Sequence, residues 1–174
     1  MTTMTPRRTR GFTAVEILMA LAVLGILAAL AAPSFRDFAN EQRLSSAVGG
    51  LAADLQFART EAIKRNARVL MCARTPGATS CAGTATWQNG WVVCYDADGD
   101  DQCDASAAND VNPMRQANTL HPRLRLAANT GVVRFNAIGA SNGAVTLTLN
   151  GDWSQSTTRT ANVATTGAVT VKRN

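Results

Sequence analysis

In this 174-residue chain, the segment from Arg10 to Pro33 reads RGFTAVEILMALAVLGILAALAAP. Within its apolar part, Glu16 is the only charged residue. The 22 residues from Phe12 to Pro33 would reach about 33 Å as an α-helix, at a rise of ~1.5 Å per residue. The hydrocarbon core of a bilayer is roughly 30 Å thick. Length and composition therefore predict a helix that can cross a membrane.

The same stretch also fits a secretory signal peptide, because a basic segment precedes it and Ala29-Leu30-Ala31 is an acceptable cleavage site. Two observations favour a permanent helix. Glu16 would cost free energy inside a bilayer, and a disposable signal has no use for such a residue. Apolar residues at helical spacing also continue beyond Pro33, to about Asn66, at Leu44, Val48, Leu51, Leu55, Ala58 and Ala62. One long helix explains both halves, and its basic flank predicts a cytoplasmic amino terminus, through Arg7, Arg8 and Arg10.

A family resemblance rests on Arg10-Gly11-Phe12-Thr13-Ala14-Val15-Glu16 and the apolar run that follows. This segment resembles the class III leader of type IV pilins and type II secretion pseudopilins. The resemblance implies that the prepilin peptidase cuts after Gly11 and that Phe12 becomes the N-methylated first residue. It also implies that Glu16 acts in assembly and that Pro33 is a helix-kinking proline.

Elementary electrostatics supports the role implied for Glu16. Cleavage after Gly11 would create a positively charged amine on Phe12, and Glu16 is the acid at membrane depth that can neutralise it. In a filament, the carboxylate of one subunit can pair with the amine of its neighbour. A buried charge pair of this kind sets the register between neighbouring subunits better than it stabilises the filament. Pro33 lacks an amide hydrogen, so we expect the helix to bend or locally melt there.

The remainder of the chain, residues 67–174, alternates short β-type segments with turn signals such as Asn89-Gly90 and Asn142-Gly143. The predicted strands are Arg68–Ala73, Gly90–Tyr95, Arg123–Ala127, Val132–Asn136, Ala144–Leu149, Arg159–Val163 and Ala168–Val171. A sheet meander on the amphipathic helix half would bury both apolar faces. The predicted fold class is α+β, the type IV pilin fold by resemblance. Its parts are a leader at 1–11, a transmembrane and assembly helix half at 12–33, an amphipathic half at 34–66 and a periplasmic β-rich domain at 67–174.

Within the pilins, the chain looks like the GspH/FimT/FimU group. The matching segments are Arg65-Asn66 leading into Val69-Leu70-Met71-Cys72, and Trp87-Gln88-Asn89-Gly90-Trp91-Val92-Val93 before an Asp/Gly loop. The resemblance implies a minor pilin that primes a type IV pilus at or near its tip, in adhesion and twitching motility. Its alternatives are a type II secretion pseudopilin and a DNA-binding pilin for natural transformation. The implied partners are other minor and major pilins, the prepilin peptidase and the assembly platform. The subunit would wait in the inner membrane as a single-pass protein before it enters a pilus or pseudopilus.

Four cysteines lie in the portion predicted to be exported, where disulfides persist: Cys72, Cys81, Cys94 and Cys103. Four cysteines allow three pairings. We favour Cys72–Cys81 with Cys94–Cys103, because each bridge would close the loop that follows a strand. A loop of about ten residues should contribute ~2–3 kcal/mol by the chain-entropy model. The alternative is Cys72–Cys94 across neighbouring strands.

The segment Asp96-Ala97-Asp98-Gly99-Asp100-Asp101, together with Asp104, is the one metal-like cluster. Carboxylates spaced around a turn-forming glycine suit calcium, with Asp96, Asp98 and Asp100 as candidate ligands. The segment lacks the glutamate that completes the calcium-loop signature. The other interpretation is a solvated acidic turn between strands, and we predict no metal and no cofactor.

Charge is distributed unevenly, although the net formal charge is only +5. The carboxyl-terminal third is basic, and its candidate patch for DNA or a partner is Arg134, Arg159, Lys172 and Arg173. DNA binding through phosphates would be salt-sensitive and independent of sequence. The Gly-Arg-x-Arg motif of DNA-binding pilins is not matched, because the nearest segment is Gly167-Ala168-Val169-Thr170. No nucleophile elbow or phosphate loop accompanies the single histidine, His121, so we predict no enzymatic activity.

Overall fold

A computed structural model describes residues 11–104 and 112–174. The predicted leader, residues 1–11, lies outside this part of the chain except for Gly11. The chain divides into two compact units, Met1–Ala39 and Asn40–Asn174. The described ranges contain one long helix, one short 3-10 helix at Trp87–Asn89 and eight strands. The long helix and the strands are α1 Ala14–Arg65, β1 Val69–Ala73, β2 Trp91–Tyr95, β3 Arg115–Gln116, β4 Leu124–Ala128, β5 Val132–Phe135, β6 Val145–Gly151, β7 Arg159–Val163 and β8 Val169–Arg173. This is the α+β arrangement predicted from the sequence.

Both ends of α1 are fixed by local hydrogen bonds. Thr13 caps the amino terminus, since its Oγ1 accepts a bond from the Glu16 amide at 3.3 Å. At the other end Asn66 adopts φ +50°, a conformation that asparagine tolerates better than most residues. The Ala67 amide then bonds the Ala62 carbonyl at 3.1 Å, which closes the last turn. The helix is continuous through position 33, so the local melting considered at Pro33 is not observed; the bend stays a prediction.

The strands form two four-stranded antiparallel sheets. The first sheet has the order β3-β2-β1-β5, and the second has the order β4-β6-β7-β8. In the first, Met71 of β1 lies between Val93 of β2 and Val133 of β5. In the second, Leu147 of β6 lies between Ala128 of β4 and Ala161 of β7.

The single meander expected from the sequence is therefore wrong, because β4 and β5 are consecutive in the chain but belong to different sheets. The switch occurs at residues 129–131. The indole Nε1 of Trp87 donates to the Thr130 carbonyl at 2.7 Å, and the Ala73 amide bonds the Gly131 carbonyl at 2.9 Å. A Cβ on Gly131 would lie 2.4 Å from the Thr84 carbonyl oxygen. These bonds direct the chain from one sheet edge to the other.

The main core lies within the unit Asn40–Asn174, between the helix and the inner faces of both sheets. The stripe predicted from helical spacing is buried at all six positions: Leu44, Val48, Leu51, Leu55, Ala58 and Ala62. It contacts buried strand residues that include Met71, Val93, Phe135, Leu147 and Leu149. The burial of β4 and β6 alternates along each strand, because one face meets the core and the other meets solvent.

Candidate assembly and interaction sites

The amino terminus of α1 carries a reciprocal cap. The backbone N–H of Thr13 donates to Oε2 of Glu16 at 3.4 Å, while Glu16 donates its own amide to Thr13. This is a capping box, in which both residues satisfy amides that the helix leaves free. Gly11 and Phe12 stand outside the helix, and the Phe12 side chain is 80% exposed. The proposed scissile bond therefore lies in non-helical, accessible chain, and the Glu16 carboxylate is directed back toward it.

The first half of α1 exposes an apolar surface. The span Ala14–Ala31 has a mean hydropathy of 2.5, and no part of it is buried by the protein itself. By length and composition it can cross a membrane, and it is the one such helix found in the described residues. Large side chains along it, among them Leu18, Leu24 and Leu30, are more than half exposed. A surface of this size requires lipid or other apolar helices around it.

Four charged residues form a network at one end of the first sheet. Asp101 accepts hydrogen bonds from the guanidinium groups of Arg68 and Arg134, and Arg68 Nε lies 2.8 Å from Oδ2 of Asp96. The hydrogen bonds from Arg134 hold the pKa of Asp101 below its ordinary value. Burial raises the pKa of Asp96, against the opposing effects of the Gly99 amide and Arg68. Two cations and two anions thus neutralise one another beside the sheet.

The four cysteines lie together on the face of the first sheet that points away from α1. Bridges join Cys72 to Cys81 and Cys94 to Cys103, the pairing favoured from the sequence. The sulfurs of Cys81 and Cys103 approach to 3.9 Å. With Leu70, Val92 and Val132 the bridges form a second, smaller core under the loops that follow β1 and β2. The disulfides therefore replace a third layer of secondary structure on this face.

Comparison with known proteins identifies the family. The family model described as "Type II transport protein GspH" matches residues 47–167, and the one described as "Prokaryotic N-terminal methylation motif" matches residues 6–32. The chain belongs to the GspH family. This is a family of pilin-type structural subunits rather than of enzymes, and its members associate with other pilins and undergo prepilin processing.

Individual relatives of this GspH family member agree with that placement. Its fold is similar to that of the type IV minor pilin FimU of Pseudomonas aeruginosa, in two crystal forms. The first comparison has a TM-score of 0.56 at 18% identity and covers 78% of this chain and 92% of FimU. The second has a TM-score of 0.52 at 17% identity, over 74% and 91%. Fimbrial protein Q of Moraxella bovis is 41% identical over 44 residues, which are 25% of this chain and 28% of that protein.

The acidic loop after β2 is exposed at Asp98 and Asp100, as the interpretation as a solvated turn expected, but it is buried at Asp96. Asp96, Asp98 and Asp104 have carboxylate oxygens within 4.8 Å of one another, whereas Asp100 is outside this group. Asp96 is 1% exposed rather than solvated, and its Oδ1 accepts the Gly99 amide at 2.7 Å. Because Arg68 already faces Asp96, a protein cation supplies charge where calcium was considered.

The structure does not gather the four cations proposed as one basic patch, although it places Arg173 opposite Arg159 across β8 and β7. Arg134 belongs to the first sheet and is ion-paired with Asp101, and Arg159 points to α1, where its Nη2 lies 2.9 Å from Glu41 Oε1. Lys172 and Arg173 are exposed on the edge strand β8. The ion pairs of Arg134 and Arg159 were not predicted, because each joins residues distant in sequence, which composition alone does not reveal. The Glu41 pair also involves Thr157: burial would raise the pKa of Glu41, but the bonds from Thr157 and Arg159 lower it overall.

Sequence reasoning also missed residues that fix the helix to the first sheet. Asp54 on α1 accepts bonds from Trp91 Nε1 at 2.8 Å and Arg115 Nη1 at 2.9 Å. The Arg115 guanidinium lies 3.8 Å from the centre of the Phe57 ring. The available signal was the position of Asp54 between Leu51 and Leu55, close to the buried stripe, where an acid requires a partner.

Proposed function

We propose that this GspH family member is a minor pilin of a type IV pilus, which primes assembly and lies at or near the pilus tip, in adhesion and twitching motility. The observation that carries the proposal is the exposed apolar span Ala14–Ala31 with Glu16 in its first turn. Lipid can cover this span before assembly, and the helices of neighbouring pilins can cover it afterwards. The similarity to FimU, which is a type IV minor pilin, supports a pilus as the destination.

The proposed life cycle begins in the inner membrane as a single-pass protein. The amino terminus would be cytoplasmic and the domain periplasmic, as the positive-inside rule predicts. Prepilin peptidase would cleave after Gly11, and Phe12 would receive the methyl group. Extraction by the assembly platform would then bring the helix among those of major and minor pilins. The new Phe12 amine and Glu16 would form the pair that sets the axial position.

The second candidate is a pseudopilin of a type II secretion system. The specific observation that favours it is the match of residues 47–167 to a family described by a type II transport protein. Both candidates use the same helix and the same processing, so they differ in the filament that the subunit joins. We do not extend the proposal to DNA binding, because Arg134 and Arg159 are engaged in ion pairs.

The test replaces Glu16 by alanine in the native bacterium. We expect the Glu16→Ala chain to insert into the membrane but to be lost from filaments, with fewer surface pili and reduced twitching. Asp37→Ala is the matched control, because Asp37 is an exposed acid on the same helix beyond the apolar span. Mass spectrometry of the wild-type chain should find a methylated amino terminus at Phe12.

The outcomes separate the candidates. Normal piliation with Glu16→Ala, or a mature chain that begins elsewhere than Phe12, would contradict the assembly role. Loss of protein secretion in a deletion strain with intact pili would assign the chain to a type II secretion system instead.

A further inference from the structure

The outer face of the second sheet is a polar surface that no helix or strand of the described residues covers, although Thr160 on β7 is only 8% exposed. Side chains alternate along each strand, and Leu126, Leu147, Leu149, Ala161 and Val163 are buried on the inner face. The intervening residues therefore point outward. They are Arg125, Ala127, Thr146, Thr148, Asn150, Thr160, Asn162, Thr170 and Lys172. We call these residues the threonine face.

The strand register arranges the threonine face in rows. Lys172 is opposite Thr160, Thr160 is opposite Thr148, and Thr148 is opposite Ala127, so this row crosses all four strands. Strands lie about 4.8 Å apart, which gives the row a length of roughly 14 Å. A parallel row contains Thr146, Asn162 and Thr170. The hydroxyl and amide groups thus form a regular array.

The strands of the threonine face carry cations but no acid, and one acid, Asp152, lies at its corner. The strands of the second sheet contain no aspartate or glutamate, and the outward cations Arg125 and Lys172 belong to its two edge strands. Asp152, which follows β6, lies 3.9 Å from Arg125 at one corner. Soluble surfaces ordinarily intersperse both signs. The acids cluster instead in the loop after β2, beside the first sheet.

Some groups on the threonine face already make hydrogen bonds, and others are free to bond a ligand. Thr146 Oγ1 donates to Asn162 Oδ1 at 3.1 Å, and Asn174 Nδ2 donates to Thr160 Oγ1 at 3.2 Å. Within the described part of the chain, the side chains of Thr148, Thr170 and Lys172 make no hydrogen bond or ion pair. These groups offer donors and acceptors between the two cationic margins.

We propose that the threonine face binds an extended acidic polysaccharide that crosses the strands. Its uronate carboxylates would meet Lys172 and also Arg125, which bonds the Pro122 carbonyl and lies 3.9 Å from Asp152 but keeps 58% of its side chain exposed. Its ring hydroxyls would bond the threonine and asparagine side chains between them. A polyuronate carries both carboxylates and hydroxyl groups, and the face offers cations on its two edge strands with hydroxyl and amide groups between them. Duplex DNA carries a charge per ≈ 1.7 Å of axis and binds by many phosphate contacts. Two cations separated by rows of hydroxyls fit such a dense polyanion poorly.

The test measures binding of fluorescein-labelled oligogalacturonate to the full chain in detergent micelles by fluorescence anisotropy. We expect saturable binding that Lys172→Glu weakens by about tenfold, because that substitution replaces a charge-assisted bond with repulsion. Thr148→Val keeps the β-branched shape and removes one hydroxyl, so we expect a weakening of about threefold. Lys64→Glu makes the same charge change on α1, where the Lys64 side chain is 72% exposed, and should leave binding unchanged.

Unlabelled competitors decide the class of ligand. Polygalacturonate should displace the probe, whereas neutral dextran should not. The proposal is overturned if the wild-type chain does not bind the probe, or if Lys64→Glu weakens binding as much as Lys172→Glu. It is also overturned if duplex DNA of equal charge concentration binds more tightly with the same dependence on Lys172. Circular dichroism of each variant verifies the fold, and Thr148→Val tests the face even if Lys172→Glu disturbs β8.

Discussion

Asp54 illustrates how a single acid can fix a helix against a sheet. Its two carboxylate oxygens accept separate bonds, Oδ2 from the Trp91 indole and Oδ1 from Arg115. Trp91 is 4% exposed, so its N–H has little access to water. Arg115 in turn covers the Phe57 ring. One residue near the apolar stripe therefore connects α1, β2 and β3.

This contact predicts a clear difference between two substitutions. Asp54→Ala leaves the buried Trp91 N–H without an acceptor, which should destabilise the chain by about 1–3 kcal/mol. Asp54→Asn retains an acceptor for Trp91 and loses the charge that faces the half-exposed Arg115, so it should cost less. Urea unfolding followed by tryptophan fluorescence measures both. Equal effects of the two variants would contradict the role given to the indole bond.

The ion pairs of Asp101 predict that the stability of the fold depends on pH. Its pKa is lowered from 3.8 in the folded chain, chiefly by the hydrogen bonds from Arg134. Stabilisation by this carboxylate is therefore present above pH 3.8 and is lost as the pH falls through the lower folded pKa. Wild type should be more stable than Asp101→Asn near neutrality, by about 1 kcal/mol for a partly exposed network. The difference in the free energy of unfolding between the two proteins should shrink at acidic pH. Asp96 has a raised pKa and therefore the opposite pH dependence, but both proteins contain it. A difference independent of pH would exclude the ion pairs as its source.

Among the secondary-structure elements, the sequence predicted the positions of the strands better than their arrangement into sheets. Alternation and turn signals located seven of the eight described strands, because these signals are local. β3 was missed, since Arg115 and Gln116 are two polar, exposed residues. The sheet switch after β4 was also missed, because it depends on Trp87 bonding a carbonyl 43 positions away. The Glu41–Arg159 pair spans 118 positions and was hidden for the same reason.

The disulfide-linked loops predict that removing a bridge lowers the free energy of unfolding by more than the lost packing alone. Replacing both Cys72 and Cys81 by alanine opens a loop of nine-residue separation and should cost about 2–3 kcal/mol by the loop-entropy model. Cys72 is fully buried in the smaller core, so lost packing adds to the effect. Urea unfolding of the oxidised variant measures the change. Wild type in a reducing agent is the comparison, and a variant as stable as oxidised wild type would contradict the structural role of the bridge.

In the whole molecule, one compact unit buries its own apolar residues and the other leaves its apolar residues exposed. The buried apolar residues of the described chain begin at Leu44 and all belong to Asn40–Asn174. The span Ala14–Ala31 contributes no buried residue. A protein built this way can keep its domain folded while the apolar span exchanges lipid for neighbouring helices, as the proposed assembly cycle requires.

This division predicts that Asn40–Asn174 folds without the preceding residues. That segment retains the helical stripe and the ion pair of Glu41 with Arg159, so it should be soluble without detergent and unfold at nearly the same temperature as the full chain. A segment of 56–174 is the matched control, because it lacks Leu44, Val48, Leu51 and Leu55. Each of these losses removes core packing of the kind that costs about 2–5 kcal/mol for a buried leucine. We expect the control to give no cooperative thermal transition by circular dichroism. If the longer segment also failed to unfold cooperatively, the domain would depend on the apolar span, and extraction from the membrane could not leave it intact.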